Sequence, residues 1–313
     1  MMKTIKKLAP LLFLLLATGA IISCKKKANS EPTDSCGIPE FQSTTVVDVS
    51  NPCGLAVSKS GKVAVTEYKQ PYGTIGTTKI WNSYSDLLAK KAPVQTLQSV
   101  GAEAIAFDNE ENLYITETEQ NARIVIYRMK TVNGISSYQY WRIIQEGFIN
   151  PRGIAFDSKN RLYLADDGKD RLLRFDDPLN NSNLSVVAAV FGSPKGLAIA
   201  NDTLYITGYS TDRLYKYSLT ATGGLGKGVI VSLPKLVDVA AYGNIVAVAS
   251  PGNKRITLLN SNQIQTTESN YTGCTKTLTG TGDIYGLAFV KTPTGYGILA
   301  SHYNQNKIIF YQP

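Results

Sequence analysis

An all-β ring of six four-stranded antiparallel blades, a β-propeller, is the fold this sequence predicts, and three observations predict it. A short apolar segment recurs six times, centred on Gly54, Ala104, Gly153, Gly196, Asp238 and Gly286, at spacings of 50, 49, 43, 42 and 48 residues. Each copy is followed by a turn and then a β-branched or aromatic run: Val63-Ala64-Val65, Leu113-Tyr114-Ile115, Leu162-Tyr163-Leu164, Leu204-Tyr205-Ile206, Val246-Ala247-Val248 and Ile298-Leu299. A third run in every unit opens on a base followed by an aliphatic residue, at Lys79, Arg123, Arg171, Arg213, Arg255 and Lys307. A period in the forties made of β-type runs is that of a propeller blade.

The elements follow in order. The first run, with Gly in four of six copies, suits an innermost strand, where neighbouring backbones crowd around the axis and leave little room for a Cβ. The second run, bounded by Gly, Asn, Asp and Ser, reads as a buried strand. The base opening the third run is expected to pair with a carboxylate or carbonyl of a neighbouring strand, because it recurs regardless of the loops around it. A weaker fourth run closes most units, as at Val94–Leu97 and Val186–Ala189. The sixth unit reaches Phe310-Tyr311-Gln312-Pro313 after its third run, so the unassigned run Gln42–Val49 is expected to serve as the outer strand of the last blade. That closure removes an exposed sheet edge. The propeller is expected to span residues 37–313.

The third unit carries a resemblance. Pro151-Arg152-Gly153-Ile154-Ala155-Phe156-Asp157, then Leu162-Tyr163-Leu164-Ala165-Asp166, then Asp170-Arg171-Leu172 resembles an NHL repeat. The resemblance covers nearly the whole ring, matches least in the first and sixth units, and implies fold rather than function. Propellers of this kind include enzymes, scaffolds and ligand binders.

The first residues carry a targeting signal. Lys3, Lys6 and Lys7 precede an apolar stretch, Leu11 to Ala17, too short for a membrane span and suited to a signal peptide over residues 1–23. Ile21-Ile22-Ser23-Cys24 resembles a bacterial lipobox, which implies lipidation of Cys24. An ordinary secretory signal cut elsewhere is the alternative. Lipidated, the chain is anchored by its acyl chains, with Lys25-Lys26-Lys27 at the headgroups and residues 24–36 as a polar tether. The Lys tract resembles lipoproteins of Bacteroidetes-type envelopes, which implies the cell envelope and its outer membrane, on either face.

Removing both Lys clusters together with Glu31 and Asp34 leaves 26 bases against 22 acids in the ring. With no basic patch, nucleic-acid binding is excluded. Cysteines show no C-x-x-C spacing, so zinc and thioredoxin chemistry have no support. Cys36 and Cys274 are the favoured disulfide, pinning the tether to blade five; the alternative is three unpaired thiols with Cys53 buried at an inner strand.

Propellers bind ligands where the loops entering the first strands and leaving the second strands share a face. The first set brings Asn51, Glu103, Asn150, Arg152, Lys195, Lys235 and Asp283; the second brings Glu67, Tyr68, Tyr72, Glu117, Glu119, Asp166, Asp167, Tyr209, His302 and Tyr303. Of these, Glu67, Tyr72, Glu117, Arg152, Asp166, Tyr209, His302 and Tyr303 are the expected ligand-facing residues. Exposed tyrosines suit stacking on a sugar or gripping a peptide. His302 is the only histidine, so a three-His zinc site is excluded, and any lyase or triad mechanism would fall on it alone. Neither a nucleophile turn nor a P-loop occurs. The expected function is therefore a lipid-anchored module binding or scaffolding protein, peptide or glycan, without a cofactor. The competing expectation comes from resemblance to the lactonases of the six-bladed class. It implies a hydrolase or lyase with Ca²⁺ or Mg²⁺ held by Glu103, Asn150 and Asp283, and Asp166 as general base.

Overall fold

The computed structural model of the chain describes residues 36–119, 121–181, 183–267, 271–280 and 282–313. The expected signal peptide and Cys24 lie outside the described residues, and the expected tether meets them only at Cys36. Six four-stranded antiparallel sheets follow one another. Blade one comprises Pro52–Val57, Val63–Glu67, Ile75–Trp81 and Gln95–Val100; blade two Ala102–Phe107, Leu113–Glu117, Arg123–Val132 and Ile135–Ile144; blade three Pro151–Phe156, Leu162–Asp166, Arg171–Phe175 and Leu184–Ala189. Blade four comprises Pro194–Ala200, Thr203–Gly208, Arg213–Leu219 and Leu225–Ser232; blade five Asp238–Tyr242, Ile245–Ser250, Arg255–Asn260 and Thr275–Thr279. Blade six has Ile284–Thr292, Gly295–His302 and Lys307–Gln312, and Gln42–Asp48 pairs with the last of these as its outer strand. Among the described residues the one α-helix is Tyr84–Leu88, whose N-terminal Asp86 amide donates to Ser83 Oγ.

The second strands are continuous apolar runs because both of their faces are covered. Every residue of Val63–Glu67, Leu113–Glu117 and Leu162–Asp166 is buried. The core is accordingly a set of apolar clusters, one between each pair of adjacent blades. Leu55, Val63 and Val65 of blade one meet Ala288, Leu299 and Ile308 of blade six and Val47 of the closing strand. Ile124, Ile126 and Ile144 of blade two meet Ile154, Leu164 and Leu173 of blade three. Blade five and blade six are joined in the same way, with Cys36, Ile38 and Phe41 packed in. A disulfide links Cys36 to Cys274, just ahead of the outer strand of blade five, with Cα atoms 5.3 Å apart; Cys53 is free and buried.

The inner strands crowd as expected. A Cβ on Gly54 would lie 2.8 Å from the Glu103 carbonyl oxygen, and one on Gly196 2.5 Å from Asp238 Cα. The base expected to open each third strand does so in blades two to six, whereas Lys79 stands four residues beyond the start of its strand at Ile75.

Candidate functional site

The inner strands carry a local irregularity that builds the site. Pairing with the second strand slips between Pro52 and Leu55, Ala102 and Ile105, Pro151 and Ile154, Pro194 and Leu197, and Ile284 and Gly286. Blade five pairs without a slip. A bulge frees a backbone N–H and re-aims the side chain beside it. In four blades the hydroxyl of the last residue but one of the second strand accepts that N–H: Thr66 from Gly54 at 2.7 Å, Thr116 from Ala104 at 2.9 Å, Thr207 from Gly196 at 2.7 Å and Ser301 from Gly286 at 2.6 Å. Ser301 also donates to the Cys53 carbonyl at 2.7 Å, so its hydroxyl is a structural group of the bulge.

The residue just before each small inner-strand residue thereby rings the axis. These are Cys53, Glu103, Arg152, Lys195, Val237 and Tyr285, and all six line the throat of the channel, a cavity of about 110 Å³. Above it a mouth of about 250 Å³ is lined by Cys53, Tyr68, Gln70, Glu103, Arg152, Lys195, Tyr285 and Tyr303. Charge gathers on one side: Arg152 Nη1 lies 2.7 Å from Glu103 Oε2 and its Nε 3.3 Å from Asp167 Oδ2. Aromatic rings gather on the other, with Tyr303 between Tyr285 (centroids 5.4 Å apart) and Tyr68 (6.3 Å). The Tyr68 hydroxyl and the Gly73 amide both donate to Glu119, which fixes the outer end of this aromatic wall. Lys195 Nζ sits 3.7 Å from the centre of the Tyr209 ring.

Burial tunes these groups. It opposes the Arg152 charge, but Glu103 and Asp167 hold the guanidinium above its ordinary range. Burial and the nearby Arg152 pull the Lys195 ammonium down. Burial and then Glu103 push the Cys53 thiol up, and its Sγ donates to Glu103 Oε2 at 3.6 Å. This is the opposite of an activated thiolate nucleophile. Asp238, on the wall of the throat, is pushed up to about 7 by burial, against hydrogen bonds from the Leu287 and Val239 amides.

Several residues expected on the ligand-facing side stand elsewhere. Glu67, Glu117 and Asp166 end the second strands of blades one to three and are buried. Lys79 Nζ lies 2.6 Å from Glu67, Arg123 Nη2 2.7 Å from Glu117 and Arg171 Nε 2.9 Å from Asp166. Glu117 and Asp166 also accept the Val100 and Ile149 amides, so Asp166 is occupied as a structural acceptor and not placed as a general base. His302 is fully buried at the end of its strand, 3.4 Å from the Tyr311 hydroxyl, and burial with Lys307 lowers it to about 4. Tyr72 is 69% exposed and outside the mouth lining. Arg152 and Tyr303 line the mouth, and Tyr209 borders it through Lys195.

The donors Glu103, Asn150 and Asp283 do not fit a divalent cation. The Glu103 carboxylate already carries the Arg152 guanidinium, Asp283 accepts from the Asn304 amide, and Asn150 is exposed in a left-handed turn (φ 59°). Among the described residues no group of three His, Cys, Asp or Glu side chains is arranged to hold a metal. The residues missed by sequence reasoning are Cys53, Gln70, Asp238 and Tyr285. Three of them carry a legible signal, since Cys53 and Tyr285 occupy the repeat position shared with Glu103, Arg152 and Lys195, and Asp238 replaces its glycine.

No protein-family model matches this chain, and no curated protein does. Solved structures do. A putative gluconolactonase matches with a TM-score of 0.60 at 14% identity, over 87% of this chain and 91% of that one. Virginiamycin B lyase from Staphylococcus aureus matches with a TM-score of 0.57 at 14% identity, over 88% and 100%. A chain of a nidogen/laminin complex matches with a TM-score of 0.57 at 17% identity, over 76% and 84%. At such identities these likenesses establish the six-bladed fold alone.

Proposed function

We propose that this chain is a lipid-anchored propeller of a bacterial cell envelope whose mouth, rather than its rim, captures the end of a glycan, peptide or protein segment. The observation that carries the reading is the two-sided lining, with Arg152 and Lys195 facing the wall of Tyr68, Tyr285 and Tyr303. A concave site with a few fixed polar groups and an aromatic face is built to recognise a ligand. Arg152 and Glu103 are held by one another, which favours binding over proton transfer. The nidogen/laminin complex supports the same use of the fold, as a binding surface. The NHL-like repeats, Cys24 lipidation and outer-membrane location belong to this reading as its sequence-based part.

Arrays of glycans and peptides probed with the full chain test it. Wild-type protein is expected to retain a subset of ligands, and Tyr285→Ala with Tyr303→Ala to release them by about ten-fold or more, the worth of one or two stacked rings. Retention unchanged in that double variant would overturn the reading. Labelled fatty acid should be incorporated by the wild type and not by Cys24→Ser; equal incorporation would remove the anchor.

A second reading, a hydrolase or lyase, draws on Asp238, a throat carboxyl brought to about 7 and thus near the range of a general acid or base. Turnover of a lactone or ester that Asp238→Asn abolishes, with ligand retention unchanged, would favour it.

A further inference from the structure

The mouth leaves one cation without an acceptor. Lys195 Nζ faces the Tyr209 ring, and among the described residues it makes no ion pair and no side-chain hydrogen bond. Every other charged group at the mouth is matched: Arg152 with Glu103 and Asp167, and Glu119 just outside with Tyr68 and Gly73. A half-buried ammonium with only a π-face beside it gains most from a ligand oxygen carrying negative charge.

The remaining lining describes the rest of the ligand. Seven of its eight residues bear a hydroxyl, amide, carboxylate or cationic group, and Cys53 bears a thiol, so a ligand with polar groups on its edge finds a partner on every side. The tyrosine rings offer flat faces that suit a ring bordered by hydroxyls. A mouth of about 250 Å³ is below the ~300–1,000 Å³ of sites for drug-sized molecules, which limits it to a single ring at the end of a chain. Charge limits it further. Two carboxylates, Glu103 and Asp167, share the Arg152 guanidinium, so with Lys195 included these four charges cancel. Lys195 matches a singly charged group one to one, whereas a doubly charged phosphate ester would leave its second charge without a partner.

We infer that the mouth holds the terminal ring of an acidic sugar, its single negative charge on Lys195 and its ring against Tyr285 and Tyr303. This rests on the mouth being the binding site proposed above. The charge comes from a carboxylate, as in a uronic acid, or from a sulfate ester, and the two share the chemistry Lys195 requires.

Calorimetric titration of the full chain with glucuronic acid, glucose 6-sulfate and glucose tests the inference, using wild type, Lys195→Gln and Lys195→Arg. One or both anionic sugars are expected to bind about ten-fold or more tightly than glucose, the weight of one charge-assisted hydrogen bond. Lys195→Gln should erase that preference, and Lys195→Arg should restore part of it. The tighter of the two anions assigns the source of the charge. Equal affinity for all three sugars would overturn the acidic-sugar inference and leave the mouth as a sugar site. Binding of none of them, with array ligands still released by the tyrosine double variant, would overturn the sugar assignment alone. Binding of none, with array ligands indifferent to those tyrosines, would overturn the site itself.

Discussion

Blades one to three and blades four to six share one topology but close the same corner with different chemistry. Where the second strand ends, the first three blades place Glu67, Glu117 and Asp166, each buried against a base of the third strand. The last three place Gly208, Ser250 and His302 opposite Arg213, Arg255 and Lys307. Blade four fills the gap with the Phe191 ring packed edge-on to Tyr215, and Ser250 donates to the Pro234 carbonyl. The Cys36–Cys274 disulfide lies in this second half as well. A repeat therefore conserves the position of a strand end without conserving the interaction that holds it. The recurring base looks in sequence like a recurring ion pair, but among the described residues it finds a carboxylate in half the ring.

The largest expected effect breaks the ionic half. Asp166→Ala strips the partner from half-buried Arg171, and such a loss costs about 3–5 kcal/mol at most. Denaturant unfolding should show it, and the joint replacement Asp166→Leu with Arg171→Met should recover much of the loss. A cost below 1 kcal/mol for Asp166→Ala would mean that the two halves are held alike. Next comes the covalent half, where Cys36→Ser should lower stability by about 2–5 kcal/mol, since the link closes a long stretch of chain. Reductant should then leave the variant's melting temperature unchanged while lowering that of the wild type.

Acidity separates two buried groups on the second half of the ring. Asp238 is raised from 3.8 to about 7, so the unfolded chain loses its proton first and stability falls as pH rises through that window. His302 is lowered from 6.5 to about 4, so the unfolded chain gains a proton first and stability falls as pH drops from 6.5 to 4. The two slopes, each about 1.4 kcal/mol per pH unit at most, oppose one another between pH 4 and 6.5. Asp238→Asn should expose a rise in stability with pH there, and His302→Gln a fall. Melting curves with the same slope in both variants would contradict the assignment. The smallest effect expected is that of Ser250→Ala, about 1 kcal/mol for one hydroxyl hydrogen bond, well short of its ionic counterpart in blade three.

The blades are legible in the sequence because each is a local pattern of apolar runs and turns, and closure by Gln42–Asp48 follows from one run left without a sheet. The site is legible only in part. Loop polarity alone cannot separate Glu117, drawn inward by Arg123 and the Val100 amide, from Glu103, left at the mouth by a bulge. His302 has the look of a rim residue from its place at a strand end, yet the packing of Gly280 and Tyr311 encloses it. What does carry the site is register: the residue ahead of each inner-strand glycine, read down all six repeats, gives the ring of side chains around the axis. Cys53 and Tyr285 are invisible as ligand-facing groups until the copies are aligned, because neither is a charged loop residue.

The proposed function places the ligand on this ring and on no other part of the surface. Hydrogen exchange of the full chain with and without a ligand retained on the arrays tests it most directly. Slowed exchange is expected at the inner-strand starts near residues 53, 103, 152, 195 and 285 together, with little change in the outer strands. Protection confined to the long outer hairpin of blade two, Arg123–Val132 with Ile135–Ile144, would place the ligand on the rim and contradict it.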